Sequence, residues 1–352
     1  MLERLKHISI TVILVGMVYS QDEQNLPPPE ASTETSKVGT AAAVFLKIPV
    51  GSRETGMGGA FVALAEGPTA LYWNPAGIAG VENFEISLMQ NRWIVELSHL
   101  FAGISFPFAG GGFGLSVISL SSDPIEITTL EEPSGTGYYY NYSDLAVGMS
   151  YGRRLTNRFS LGGTVKLIQE KIYHESAHSV AMDIGSILVT DFYGLRIGMN
   201  LSNFGTDMRF TGRDLDVPYS RTIGLSEEES PAYEVQASLN TIYWRIPTNF
   251  SFGLATDLFS LSESETQQEM PNSSLLLSVV GNYPNDGEFG IRVGSEFAFR
   301  QMLFLRAGYY LQESNHLTFG LGINVSGISI DYSYADLGVF NQVNMFTVGL
   351  DF

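Results

Sequence analysis

From residue 83 to the last residue, apolar and non-apolar positions alternate with a period of two. "FEISLMQ" (84–90) puts Phe84, Ile86 and Leu88 on one face. "LAVGMSY" (145–151) sets Leu145, Val147, Met149 and Tyr151 against Ala146, Gly148 and Ser150. "HLTFGLGINV" (316–325) sets Leu317, Phe319, Leu321 and Ile323 against Thr318, Gly320, Gly322 and Asn324. One face is apolar; the other is small or polar, and carries charge at Arg196, Arg292 and Arg306. A strand built this way faces two different solvents, as in a transmembrane barrel with lipid outside and a polar lumen inside. The pattern predicts strands over 84–90, 94–106, 112–122, 143–154, 159–172, 178–190, 193–204, 246–259, 274–283, 288–299, 302–312, 316–325, 328–336 and 342–352. That is an even number, about 14, and most reach the roughly 9–11 residues that cross a bilayer at a tilt. The predicted fold class is therefore all-β: a transmembrane antiparallel outer-membrane β-barrel over 83–352. Links at 107–111, 156–158, 190–194, 299–302 and 326–327 are short, and those at 123–142 and 205–245 are long. The short links and both termini fall on one side, read as periplasmic; the long link at 260–273 breaks the rule. Tyr151, Phe159, Tyr193, Phe299, Tyr332 and Phe352 fall near predicted strand ends, where interfacial aromatics belong.

The first 82 residues do not share this period. "MLERLKH" brings Arg4 and Lys6 ahead of the apolar core "ISITVILVGMV", and "VYS" ends at Ser20. This is the form of a cleavable secretory signal over 1–20, so the expected location is the outer membrane of a Gram-negative-type bacterium. Residues 21–39 are polar and Pro-rich, the composition of a flexible leader. Over 40–82, "TAAAVFLKI" and "ETGMGGAFVALAEG" each fit a short helix, broken by Pro49, Gly51, Gly67 and Pro68. "TALYWNPAGIAG" (69–80) follows, compact and dense in turn signals.

Composition agrees with a membrane barrel. Charged residues are 16%, below the usual ~25%, while Gly numbers 37 and aromatics reach 12%. No apolar run beyond residue 20 approaches the ~20 residues of a transmembrane helix. With no cysteine there is no disulfide framework, thiolate nucleophile or cysteine-based zinc site. A net charge of −18 argues against nucleic acid as a partner, and the acidic residues at 123–132, 214–234 and 261–269 read as solvated loops.

Two motifs invite chemistry and lose on context. "HESAH", His174 to His178, matches H-E-x-x-H, but it lies between two period-two segments rather than on a helix, and His7, His99 and His316 are distant. It reads as a solvated extracellular hairpin loop. "GMGGAF" (56–61) lacks the preceding strand of a dinucleotide fingerprint and reads as close helix packing. No catalytic residue, metal site or cofactor is assigned, and the protein is read as non-enzymatic. The chain closes on "NMFTVGLDF", with Phe346, Val348, Leu350 and Phe352 on one face. An alternating last strand ending in Phe resembles the signal by which outer-membrane barrels engage their assembly machinery.

The stretch "FLKIPVGSRETGMGGAFVALAEGPTALYWNPAGIAG" (45–80) resembles the N-terminal signature of the PorV/PorQ family of outer-membrane proteins. Its "YWNPAG" box also resembles the FadL long-chain fatty-acid transporters. The likeness continues more loosely at 181–188, 200–205, 245–255, 304–309 and 330–338. It implies a fourteen-stranded barrel with residues 40–82 as a plug, or hatch, in the lumen. Gly58, Gly59 and Ala60 would allow close backbone approach, and Gly56, Ala76 and Gly77 belong to the same plug. Tyr72 and Trp73 would supply bulk with a polar tip, and Asn74-Pro75 a rigid turn that caps free backbone groups. The implied function is a component of type IX protein secretion. Such a barrel would bind or shuttle the C-terminal sorting domains of cargo, with a translocon and a surface-attachment complex as partners. The alternative is a FadL-like transporter of hydrophobic small molecules, which apolar residues pointing into the lumen would support.

Overall fold

The computed structural model describes residues 39–220, 234–259, 272–311, 316–338 and 342–352, so the expected signal peptide and nearly all of the leader lie outside the described residues. The long strands among these residues are β1 (Glu85–Arg92), β2 (Ser98–Phe108), β3 (Gly111–Ser121), β4 (Tyr142–Arg154) and β5 (Phe159–Ile172). They continue as β6 (Glu175–Val189), β7 (Arg196–Gly205), β8 (Asn249–Asp257), β9 (Ser274–Pro284) and β10 (Gly290–Phe299). The last are β11 (Leu303–Leu311), β12 (His316–Val325), β13 (Ile328–Asp336) and β14 (Gln342–Asp351). Each pairs antiparallel with its neighbour in sequence, and β1 pairs with β14 from Glu85↔Asp351 to Asn91↔Met345. The fourteen strands close into a ring, which leaves no sheet edge for lipid to meet, as a spanning β structure requires. No helix among the described residues is long and apolar enough to cross a membrane.

The period-two pattern sorts as expected by face. Leu88, Leu167 and Leu321 point outward and are more than half exposed, while Ser87, Ser150 and Thr347 are buried inside. At the end of the barrel that carries Phe352, here the near end, aromatic rings crowd the rim. Phe84 stacks with Phe106 at 6.2 Å and meets Phe352 at 6.0 Å; Phe106 and Phe108 both pack on Phe113. Tyr151, Phe159, Tyr193 and Phe299 lie at the same end, whereas Tyr332 falls in the middle of β13 and is no rim residue.

Several expectations need correction. Strand β1 runs two residues further than predicted, to Arg92, and β2 starts at Ser98, because Ile94–Glu96 form a tight turn with Val95 and Glu96 at positive φ. Strand β6 starts at Glu175, so "HESAH" is no loop: Tyr173 and His174 make a two-residue turn, and Glu175 to His178 pair with β5. The far end therefore also holds short links, at 93–97, 173–174 and 285–289, besides its long ones. Those long links carry short ladders of their own, Ile125–Glu126 with Tyr139–Tyr140 and Asp216–Ser220 with Glu234–Ser238. Neither small-residue stretch is helical throughout: "TAAAVFLKI" yields a 3₁₀ turn at Val44–Lys47, and only Ser52–Gly56 (α1) and Ala70–Trp73 (α2) are α-helical. The described start of the chain is not at the near end either. Ala41 bridges to Arg245, in the long β7–β8 link at the far end.

Candidate functional site

Residues 41–81 run down the inside of the ring, from the far end to the near end. At the far end the Ala42 amide donates to Arg245 O (2.8 Å) and the Ala43 amide to Glu170 Oε1 (2.8 Å). Helix α1 then packs on β11 to β14, and Ser52 bonds through its amide and hydroxyl to Thr347 Oγ1, both at 2.9 Å. The chain crosses the lumen, forms α2, and ends in a 3₁₀ turn over Pro75–Gly80 that packs on β3 to β6. Touching strands on opposite walls while almost wholly buried, the segment occupies the lumen itself.

The residues singled out in sequence lie along this path. Gly56 at the end of α1 lies against the backbone of Gly320, where a Cβ would come to 2.9 Å of the Gly320 Cα. Gly58 has φ +68°, a left-handed conformation that glycine adopts without strain, and faces Gly308. A Cβ on Gly308 would come to 2.0 Å of the Gly58 nitrogen, so the two backbones meet only because neither carries a side chain. Gly59 lies against Arg292 and Trp73. The packing expected of "GMGGAF" is thus against barrel wall and not against a second helix. Gly77 lies against Ala65 and Ala70, and Ala76 is buried. Tyr72 and Trp73 meet edge to face at 5.0 Å, and each uses its polar tip on the segment's own backbone: Tyr72 Oη donates to Leu46 O (3.1 Å) and Trp73 Nε1 to Val50 O (2.8 Å).

Asn74 is the most heavily bonded of them. Its Oδ1 accepts from the Ala76 amide (3.1 Å), and Pro75 starts the 3₁₀ turn. Its Nδ2 donates to Val62 O (2.9 Å), Ser186 O (3.1 Å) and Met199 O (3.3 Å). One side chain therefore ties two parts of the segment to the seam between β6 and β7. A few residues along that seam there is a bulge between Met182 and Ile184, with Asn203 in the left-handed region at φ 56°. Buried Lys166 and Asp183 pair there at 2.6 Å, and Asn203 Oδ1 accepts from Lys166 Nζ at 2.8 Å.

The near half of the lumen is charged. Arg53 forks onto Glu296 (Nε to Oε2 2.9 Å, Nη2 to Oε1 2.8 Å) and reaches Glu66. Arg306 Nε donates to the same Glu296 Oε2 (2.6 Å), and its Nη1 donates to Asp331 Oδ1 (2.5 Å). This relay of alternating charge joins α1 to β10, β11 and β13. Glu54, beside it, accepts from Thr69 Oγ1 (2.5 Å); burial pushes its carboxyl up to about 7. Arg53, Glu54, Glu66, Thr69 and Asp331 line an open vestibule of about 690 Å³ that also reaches Arg154, Arg158 and Arg196.

The far half is different, and sequence reading missed it. Phe101, Ile118, Leu120 and Ile168 point inward from the strands and are buried against Phe45, Leu46 and Ile48 of the segment. Met208 and Ile246, from the β7–β8 link, complete the cluster. Apolar residues thus face the lumen as well as the lipid. The signal was present at Leu100-Phe101, Val117-Ile118 and Leu167-Ile168, where two apolar neighbours interrupt the alternation. The "HESAH" histidines do not converge. They stand four residues apart across a turn and an extended strand, a spacing of about 13 Å at the usual rise. His174 Nδ1 instead meets Asp214 Oδ2 at 2.7 Å. No group of three or more metal-ligating side chains occurs among the described residues. Phe346, Val348 and Phe352 are exposed on the outer face, with Leu350 half-buried beside them.

A family model described as an uncharacterised protein family, UPF0164, matches residues 21–208. A search of curated proteins finds no match. Among solved structures the chain is similar to the CymD monoaromatic hydrocarbon channel (TM-score 0.52, 12% identity, 87% of this chain and 98% of that one). It is also similar to a Pseudomonas aeruginosa FadL homologue (0.51, 11%, covering 86% and 98%) and to the Pseudomonas putida toluene transporter TodX (0.50, 13%, covering 85% and 96%). At these identities the likeness establishes the fold alone, an antiparallel β-barrel like those of these three proteins.

Proposed function

We propose a function for this chain, which belongs to the uncharacterised protein family UPF0164, from the chemistry of its lumen. The protein is a non-enzymatic outer-membrane barrel that passes small hydrophobic molecules, and residues 40–82 are the plug that such a molecule must get past. The carrying observation is the apolar cluster in the far half of the lumen. Phe101, Ile118 and Ile168, turned away from lipid, pack on Phe45, Leu46 and Ile48 of the plug, and once the plug yields the same surface would take up an apolar molecule, since each Å² removed from water contributes about 25 cal/mol. The charged vestibule at the near end is poor for apolar binding and suits release into an aqueous compartment. That the neighbours in fold include a monoaromatic hydrocarbon channel and a toluene transporter supports the same reading.

The type IX secretion reading, with cargo, translocon and attachment complex as partners, rests on the PorV/PorQ-like stretch at 45–80 and its looser continuation along the chain, and neither the fold neighbours nor the lumen favours it. Outer-membrane lipid would surround the exposed apolar belt, and the strand ending at Phe352 would engage the assembly machinery. The decisive experiment is solvent extraction of the purified barrel followed by gas chromatography and mass spectrometry, paired with toluene uptake into proteoliposomes. Retained apolar compounds and barrel-dependent uptake are expected. Absence of both, with pull-down of secreted proteins that share a C-terminal domain, would replace this function with the secretion role.

A further inference from the structure

Beside the apolar cluster the lumen wall holds two polar side chains with nothing to bind. Asn91 on β1 and His99 on β2 are direct partners across the strands. Both face inward, at 1% and 0% exposure. Both polar atoms of each have no hydrogen-bond partner in the protein. Buried polar groups are nearly always paired, and each left unpaired is costly. Two such residues side by side, at the edge of an apolar cluster, have the form of a recognition point.

The chemistry of the occupant follows from the donors. Asn91 offers one acceptor and two hydrogens, and a neutral His99 offers one acceptor and one hydrogen. In register on the next strands stand Leu120, then Asp144, then Glu170, all buried and inward-facing. Asp144 and Glu170 stand two and three strands from His99, about 10 and 14 Å at the usual strand spacing, and their charge on the same wall makes a carboxylate the poorer head group. An ammonium would have no acceptor for the hydrogens of Asn91 and His99. A hydroxyl both donates and accepts, and it carries no charge. The geometry points to a lumen site for an uncharged apolar molecule bearing one hydroxyl group, a phenol or an alcohol, with Asn91 and His99 holding that group and the apolar cluster holding the rest. This rests on the proposed passage of hydrophobic molecules and names their class.

The test uses three probes with one ring: p-cresol, toluene and p-toluate, titrated calorimetrically into the purified full-length barrel. A site that hydrogen-bonds a hydroxyl strongly rejects the analogue without it, so p-cresol should bind at least about tenfold more tightly than toluene. It should exceed p-toluate as well. Asn91→Leu and His99→Leu should each bring the p-cresol to toluene ratio close to about one, and His99→Gln should keep part of the preference. Folding of each variant is checked by its heat-shifted migration in gels. Equal affinity for p-cresol and toluene in the natural protein, or a ratio untouched by both leucine variants, would overturn the recognition point and leave the apolar site standing. Preference for p-toluate would overturn the ligand class. Failure of all three probes to bind would remove this proposal together with the passage reading.

Discussion

Asn74 gives the sharpest prediction, because one side chain joins the lumen segment to the wall. Its two amide hydrogens serve three carbonyls, of Val62, Ser186 and Met199, and its oxygen takes the Ala76 amide. Counting two full bonds from Nδ2 and one to Oδ1, at a net of about 1 kcal/mol each, Asn74→Ala should cost about 3 kcal/mol. The cost should fall on local opening, not on the ring of strands, whose ladder does not pass through Asn74. By the usual conversion of about 1.4 kcal/mol per factor of ten, amides of the segment should exchange about 150-fold faster. Hydrogen–deuterium exchange with mass spectrometry, on detergent-purified barrel, reads this directly for peptides covering 60–80, with β11 as the internal control. Asn74→Asp should be worse than Ala: it keeps the acceptor for Ala76 but sets a carboxylate against three carbonyl oxygens. Exchange within twofold of the natural protein would refute the assignment of Asn74 as the tie. Equal acceleration in β11 would refute it differently, by showing that the side chain supports the whole barrel.

Other consequences are equally direct. Gly308→Ala sets a Cβ 2.0 Å from the Gly58 nitrogen, and since both partners are backbone the segment must shift; a loss of about 1–3 kcal/mol, read as faster proteolysis within 52–62, is expected, and unchanged cleavage would sink the close-contact argument. Glu54 holds its proton more tightly folded (about 7) than unfolded (near 4.5), so the stability it contributes is complete below pH 4.5 and is lost as pH rises towards 7; the urea midpoint should fall over that window, and Glu54→Gln should flatten the change. Deleting Phe352, which lies exposed on the outer face beside Phe84, should lower the yield of heat-modifiable barrel in the membrane more than the stability of barrel refolded in detergent; equal yields would remove its role in assembly.

The strands were legible in the sequence because lipid and lumen differ in polarity, and the period of two records that difference residue by residue. The same rule hid the apolar cluster in the far half of the lumen, where neighbouring residues on both faces are apolar. Val117-Ile118 and Leu167-Ile168 look like any buried run until the register shows Ile118 and Ile168 turned inward. "HESAH" was misread for a related reason: the inward residues of early β6, Ala177 and Ser179, are small, and small residues beside polar ones read as loop. Within the segment, local features were readable and distant ones were not. The Asn74-Pro75 pair predicts its own turn, but nothing near it announces Ser186 and Met199, more than a hundred residues away. Fold neighbours at 11–13% identity share the barrel while most aligned residues differ. Inner-face chemistry is therefore the part of such a barrel that carries its specificity, and fold likeness cannot transfer it. Here that chemistry is divided along one axis: the apolar cluster lies in the far half, beside the buried Asp144 and Glu170, and the Arg53–Glu296–Arg306–Asp331 relay lies in the near half. A molecule moving inward would leave the face that holds it for one that does not, provided the segment tied by Asn74 gives way between them.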